Sequence, residues 1–245
     1  MTNPLISTPS IIIAPSLLAA NFGRIEKEVK RVSASGAEWI HLDIMDGHFV
    51  PNISFGPSVV QTVRSAMSGF LDVHLMCSKP DILLKPFADA GADQITVHVE
   101  LNDMIDGLIW KIKDLGLKVG LAVNPPTSLT LVRRFLSRID TLLIMTVNPG
   151  FGGQPFIPET ITKIQLANRW RNSVPDNVFR IEVDGGITLQ RAIECAGAGA
   201  DTFVSGTALF GQRNLSAAVR NMRRSIANKL KQCSKPVVDT FAASN

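Results

Sequence analysis

The chain has 245 residues, 45% of them hydrophobic, a formal charge of +4 and three scattered cysteines without CxxC spacing. That is enough for one large core, while the odd, unpatterned cysteines exclude a disulfide framework and a Cys-built zinc site. Residues 212–235 hold seven Lys/Arg and no acid, leaving 18 bases against 20 acids in residues 1–211, so the positive charge reads as one solvated helix face. Without interleaved aromatics it gives no support for RNA stacking. The first ten residues carry no Lys or Arg, unlike a secretory or transit leader. The apolar run from Ile11 is broken by Pro15, Ser16 and Asn21, well short of a membrane span. The expectation is a soluble, cytoplasmic protein that binds neither nucleic acid nor membrane.

Along the chain, short apolar, β-branched runs alternate with amphipathic segments. The first strand is expected at 10–14 (SIIIA), leading to Ser16 in "APS" and then to the helical pattern "NFGRIEKEVKRVSASG". The second, 38–45 (EWIHLDIM), sets His41, Asp43 and Met45 two apart and so on one face, before Asp46-Gly47 breaks the run. A buried strand carries an imidazole and a carboxylate side by side only where something pairs with them. His48, in the loop beyond, fits pocket closure or plain loop structure equally. The third strand, 70–76 (FLDVHLM), repeats the pattern with His74 and Met76, and a helix follows in "KPDILLKPFADAG". At 93–99 (DQITVHV), His98 alternates with Thr96 and Glu100 and reads as a hydrogen-bonded interior histidine. Strands at 117–123 (LKVGLAV) and 140–147 (DTLLIMTV) come next, the latter offering Met145 and running into "NPGFGGQPF". The seventh, 178–184 (VFRIEVD), ends in Asp184-Gly185-Gly186, before the helix "TLQRAIECAGAG". The eighth, 201–205 (DTFVS), leads to Gly206-Thr207, the basic helix and a loose tail from about residue 232. The AG and SG dipeptides near helix ends fit glycine stops. Cys77 and Cys195 read as small buried residues and Cys233 as a tail thiol, none of them nucleophilic.

Eight β-then-α units without a doubling of length point to one domain over 1–245, a parallel sheet closed into a (β/α)₈ TIM barrel. An open doubly wound sheet is the alternative. It wants a glycine-rich dinucleotide turn after the first strand, which "APSLLAANFG" does not supply.

In a barrel, chemistry gathers at the C-terminal strand ends. His41, Asp43, His74 and Asp184 converge there with Ser16 and three methionines. Two His and two carboxylates make an N₂O₂ donor set for Zn²⁺, Fe²⁺, Mn²⁺ or Co²⁺, and a pair of mutually satisfied His–Asp couples is the plainer reading. Such an ion polarises a carbonyl and stabilises an enediolate, while carboxylates on opposite sides of its plane remove and return a proton. Methionine thioethers suit the remaining walls, being apolar and without acidic protons. Glycine turns after strands six, seven and eight, with no Lys or Arg in them, fit a phosphate held by backbone amides. The residues alone reach metal-assisted proton abstraction beside a carbonyl of a small phosphorylated substrate.

From about residue 10 to 230 the sequence resembles the ribulose-phosphate 3-epimerase family. The likeness is carried by "APSLLAANFG", "HLDIMDGHFVPNISFGP", "DVHLM", "AGADQITVHVE", "VNPGFGGQ", "EVDGGI" and "VSGTALF". It implies a barrel of the ribulose-phosphate-binding type that interconverts D-ribulose 5-phosphate and D-xylulose 5-phosphate in the pentose phosphate pathway. It further implies a homo-oligomer, either dimer or hexamer. By position, His41, Asp43, His74 and Asp184 correspond to ligands of one divalent ion, with Asp43 as proton acceptor and Asp184 as donor. Ser16, His41, His74 and Asp184 correspond to substrate contacts, with Met45, Met76 and Met145 lining the pocket. Gly150, Phe151, Gly152, Gly153, Gly185, Gly186, Gly206 and Thr207 correspond to the phosphate cradle. The family usually has "AGS" where this chain has Ser205-Gly206-Thr207, and Thr207 keeps both the hydroxyl and the backbone N–H. Two rivals stay open: a 3-epimerase for a ketohexose phosphate such as allulose 6-phosphate, and a non-catalytic sugar-phosphate-binding barrel.

Overall fold

A computed structural model describes residues 10–173 and 178–233. The expected loose tail lies almost entirely outside the described residues. The strands are β1 (Ile12–Pro15), β2 (Trp39–Met45), β3 (Phe70–Met76), β4 (Gln94–His98), β5 (Lys118–Val123), β6 (Thr141–Met145), β7 (Arg180–Asp184) and β8 (Thr202–Ser205). Each matches an expected run to within about two residues at either end. All pair in parallel, in the order β1-β8-β7-β6-β5-β4-β3-β2. A single parallel bridge between Ser16 and His41 joins β1 to β2, so the barrel closes at the very residues singled out above.

Helices follow the strands: α1 (Ile25–Ser33), α2 (Pro57–Ala66), α3 (Leu84–Asp89), α4 (Ile105–Asp114), α5 (Ile161–Ser173), α6 (Leu189–Ala198), the short α7 (Thr207–Phe210) and α8 (Leu215–Cys233). The exception comes after β5, where Leu129–Arg138 winds as 3₁₀-helix. Its buried Leu129, Val132 and Phe135 recur every third residue, the period that a three-residue turn keeps on one face. Gly199 ends α6 in the left-handed region at φ 117°, as the glycine-stop pattern anticipates. Among the described residues no helix is long and apolar enough to cross a membrane.

Strand alternation builds two unlike layers. The outward residues, such as Ile40, Leu42, Val73, Leu75, Ile95 and Val183, pack on the helices in one continuous apolar layer. Each such side chain stabilises the fold by about 1.5–3 kcal/mol through burial. The inward residues are largely polar: Asp72, Gln94, Thr96, Thr141, Glu182 and Thr202 are all buried. An apolar cluster of Ile12, Ala14, Trp39 and Val204 fills the β1–β2–β8 side of the interior, with Phe70 stacked 4.2 Å from Trp39. Of the polar residues, Gln94, Thr141 and Thr202 open their strands, so the polar layer lies beneath the C-terminal mouth.

Candidate active site

At that mouth the strand register sets Asp43 beside His74 and Met45 beside Met76. Met145 stands beside Asp184 on the far side. His41 Nε2, His74 Nδ1 and Asp43 Oδ1 form a triangle 3.3 Å on each side. Asp184 Oδ2 lies 4.0 Å from His41 Nε2, and the four donor atoms all fall within 4.8 Å of one another. Ligands about 2.0–2.1 Å from a tetrahedral ion stand about 3.3–3.4 Å apart, so the triangle has the spacing such an ion requires. Two nitrogens and two carboxylate oxygens are also the right donors for a borderline divalent ion, and the residues fit one.

These groups set one another's charge. Burial lowers the His41 pKa, but the carboxylates of Asp43 and Asp72 outweigh it and hold it well above the ordinary histidine value. Burial raises Asp43, but the charge of His41 and hydrogen bonds to His41 and His74 hold it well below the usual carboxylate range. Burial brings His74 down to about 4, with His98 and His41 assisting against the pull of Asp43. Asp184 moves the other way. Burial and then the negative charge of Asp43 push it up to about 7, with His41 opposing. Two neighbouring carboxylates thus differ, one ionised at neutral pH and one titrating close to it, which is the split that acid–base work needs.

Above the cluster opens a cavity of about 370 Å³. Ser16, Asp43, Met45, Met76, Met145 and Asp184 line its floor and walls. Gly150, Phe151, Gly152, Gly153, Gly185, Gly186, Gly206 and Thr207 line the other half. Ser16 Oγ donates to Asp43 Oδ2 at 2.7 Å, leaving Asp43 Oδ1 for the triangle. His41 and His74 are fully buried and do not reach the cavity, so they sit beneath its floor. His74 stands on the strand next to Asp43, and only Asp184 comes from across the barrel.

The glycine half is shaped by its own backbone bonds. Asn52 Nδ2 donates to Gly150 O at 2.8 Å, tying the loop after β2 to the loop after β6. Thr146 Oγ1 donates to the carbonyls of Asp184 and Gly185. Gly186 has φ +63°, and a Cβ there would meet Phe156 N at 2.8 Å and Gln154 O at 3.0 Å. Glycine at 186 is demanded by the neighbouring loop as well as by any ligand. One base does line the cavity: Arg191, paired with Glu194 at 2.6 Å and set over the Phe156 ring.

Sequence reasoning missed the supporting layer. Asp72 Oδ2 lies 2.6 Å from His41 Nδ1, and Asp72 Oδ1 accepts from Gln94 Nε2 at 2.8 Å. Glu182 is buried, lacks a conventional hydrogen-bond partner, and is raised well above the ordinary range by burial and the Asp72 charge. Asp72 and Glu182 each stand two residues before a singled-out residue, His74 and Asp184, so the same two-residue alternation pointed to both. His48 is exposed and its ring and N–H bond to Asp46, which makes it part of the loop. Cys77 and Cys195 are buried and unpaired with each other, and burial pushes both thiols up to about 12.

The comparisons with known proteins agree with this geometry. Residues 12–210 match the model of the "Ribulose-phosphate 3 epimerase family". The ribulose-phosphate 3-epimerase of Synechocystis sp. is 43% identical over 218 residues, covering 88% of this chain and 94% of that protein. That of Bacillus subtilis is 42% identical over 215 residues, covering 88% and 99%. Among solved structures, KGPDC from Streptococcus mutans superposes with a TM-score of 0.67 at 14% identity, covering 89% of this chain and 98% of that one. At that identity the likeness speaks for the barrel alone. With the matched residues running from β1 through α7, and the four-residue cluster inside them, the chain belongs to the ribulose-phosphate 3-epimerase family.

Proposed function

We propose that the protein epimerises C3 of D-ribulose 5-phosphate to give D-xylulose 5-phosphate, by proton transfer between two carboxylates. The observation that carries this reading is the pair Asp43 and Asp184: both line one cavity, on β2 and β7, strands that do not neighbour one another. His41, Asp43, His74 and Asp184 would hold one divalent ion, Zn²⁺, Fe²⁺, Mn²⁺ or Co²⁺. That ion supplies a Lewis acid for the carbonyl oxygen as negative charge gathers there. Asp43, ionised, takes the C3 proton from one face. Asp184, protonated, delivers one to the other, and the roles exchange in the reverse direction. Ser16 keeps Asp43 oriented, and Met45, Met76 and Met145 exclude water without offering a competing proton. The glycine half receives the phosphate, mainly through backbone N–H groups.

The family resemblance also supports a role in the pentose phosphate pathway and a cytoplasmic homo-oligomer, a dimer or hexamer, which sedimentation of the purified chain tests. The function itself is tested by running D-ribulose 5-phosphate in deuterated water to low conversion. The expected product is D-xylulose 5-phosphate carrying deuterium at C3, while the recovered substrate carries little. Product retaining its original hydrogen would rule out separate donor and acceptor, and turnover of a six-carbon ketose phosphate in preference would move the assignment to that substrate.

A further inference from the structure

Beneath the cavity, β4 contributes a third buried histidine that neither touches the cavity nor belongs to the four-residue cluster. His98 Nε2 lies 2.8 Å from His74 Nε2, with the ring planes 24° apart. Two imidazole nitrogens at that distance share one hydrogen, so one ring must donate and the other accept. Which does so is decided further along. His98 Nδ1 lies 3.1 Å from Glu100 Oε2, a carboxylate that only accepts. With His98 as the neutral imidazole, its one hydrogen sits on Nδ1 and Nε2 offers a lone pair. His74 must then carry its hydrogen on Nε2, leaving Nδ1 bare and turned toward Asp43 and His41, 3.3 Å from each.

Glu100 is itself anchored. Its Oε1 accepts from Asn124 N at 2.8 Å, and Lys163 Nζ holds the carbonyls of Asn124 and Pro125, both at 2.8 Å. The Phe49 ring packs against His98, 4.7 Å between centroids. On the neighbouring strand, Asp72 does the same service directly, taking the His41 Nδ1 hydrogen and freeing Nε2 for the cluster. The imidazoles thus expose opposite ring nitrogens, Nε2 of His41 and Nδ1 of His74, and each exposure has a carboxylate behind it.

We propose that His98 and Glu100 are positioning residues for the metal: Glu100 fixes the His98 tautomer, and His98 in turn fixes His74 with Nδ1 bare toward the ion. This rests on the reading of the cluster as a metal site, and partners of this kind are worth about 10–100-fold in metal affinity. The test uses the full-length protein and zinc. Competition with a chromophoric chelator gives the zinc affinity of wild type, His98→Leu, His98→Gln and Glu100→Gln. His98→Leu, which leaves His74 Nε2 without an acceptor, should bind zinc at least tenfold more weakly. His98→Gln, whose amide oxygen can accept that hydrogen, should recover most of the loss. Glu100→Gln must set its amide NH₂ against either Asn124 N–H or His98, and should weaken binding as well. Thermal melting separates these effects from loss of fold. Independently of any variant, long-range ¹H–¹⁵N correlation on the zinc-loaded wild type should show His98 protonated on Nδ1 and His74 on Nε2. Hydrogen on His98 Nε2, or a loss below tenfold in a folded His98→Leu, overturns the proposal. If the tautomers hold and no epimerase activity is found, the functional reading fails and this one stands.

Discussion

The two halves of the barrel mouth solve different problems by different means. Around β2, β3 and β7 the working groups are side chains, packed within 4.8 Å of one another and braced from below by Asp72 and His98. Around the loops after β6, β7 and β8 the lining is glycine and backbone, braced by Asn52, Thr146 and Gln154. On the proposed function the first half confines charge and moves protons. On the same reading the second makes room for an anion without adding a group that could disturb those protons. Preorganisation takes two forms accordingly: hydrogen bonds between buried side chains in one half, and in the other loop packing that admits only glycine at 185 and 186.

The halves can be separated experimentally, and the charged one should respond most strongly. Stripping the protein with a strong chelator should abolish turnover, and adding Zn²⁺, Fe²⁺, Mn²⁺ or Co²⁺ should restore it; full activity at no detectable metal by elemental analysis contradicts the ligand assignment. Proton linkage comes next. His41 is raised well above the ordinary value, so at neutral pH it holds a proton that a metal must displace. Zinc affinity should therefore rise with pH between about 6 and 8, by up to tenfold per pH unit for each proton released. Calorimetry in buffers of different ionisation enthalpy counts those protons, and none released at pH 6 would mean the cluster is not the site.

In the glycine half, Gly152→Val should raise KM for the phosphorylated substrate by roughly tenfold, the worth of about one hydrogen bond to a charged group, with kcat little changed. Gly152 is the sharper test than Gly186, because a Cβ at 152 comes no nearer than 3.9 Å, to Leu18, whereas one at 186 strikes backbone. A matching fall in kcat would place this loop in the chemistry instead. Arg191 should matter least. Its partner Glu194 already balances it, so Arg191→Gln should change KM by less than about threefold at physiological salt; a much larger rise would show a side chain, not backbone, dominating phosphate binding.

The sequence exposes the first half better than the second. Alternation on β2 and β3 puts His41, Asp43 and Met45, then His74 and Met76, on shared faces, and one barrel end collects them with Asp184. The same rule covers Asp72 and Glu182 without singling them out, because a lone acid in a strand looks like an ordinary exposed residue until the barrel interior is known to be polar. The glycines are visible as a pattern, but not why each is glycine: at 186 the reason is a loop thirty residues earlier. The segment after β5 reads in sequence as one more amphipathic helix, and its three-residue spacing is the signal that distinguishes it.

On this account Asp43 and Asp184 serve opposite faces of one planar intermediate, and neither can replace the other. Asn is nearly isosteric with Asp, retains an oxygen that can bind a metal, and cannot take up a proton. The direct measurement is kcat for Asp43→Asn, Asp184→Asn and the double variant, each with metal content confirmed. Each single change should lower kcat by more than about a hundredfold, and the double change should be little worse than either. If either single variant kept more than about a hundredth of the wild-type kcat, the loss would fall short of what even one general acid–base group contributes, and the two-carboxylate account would be contradicted.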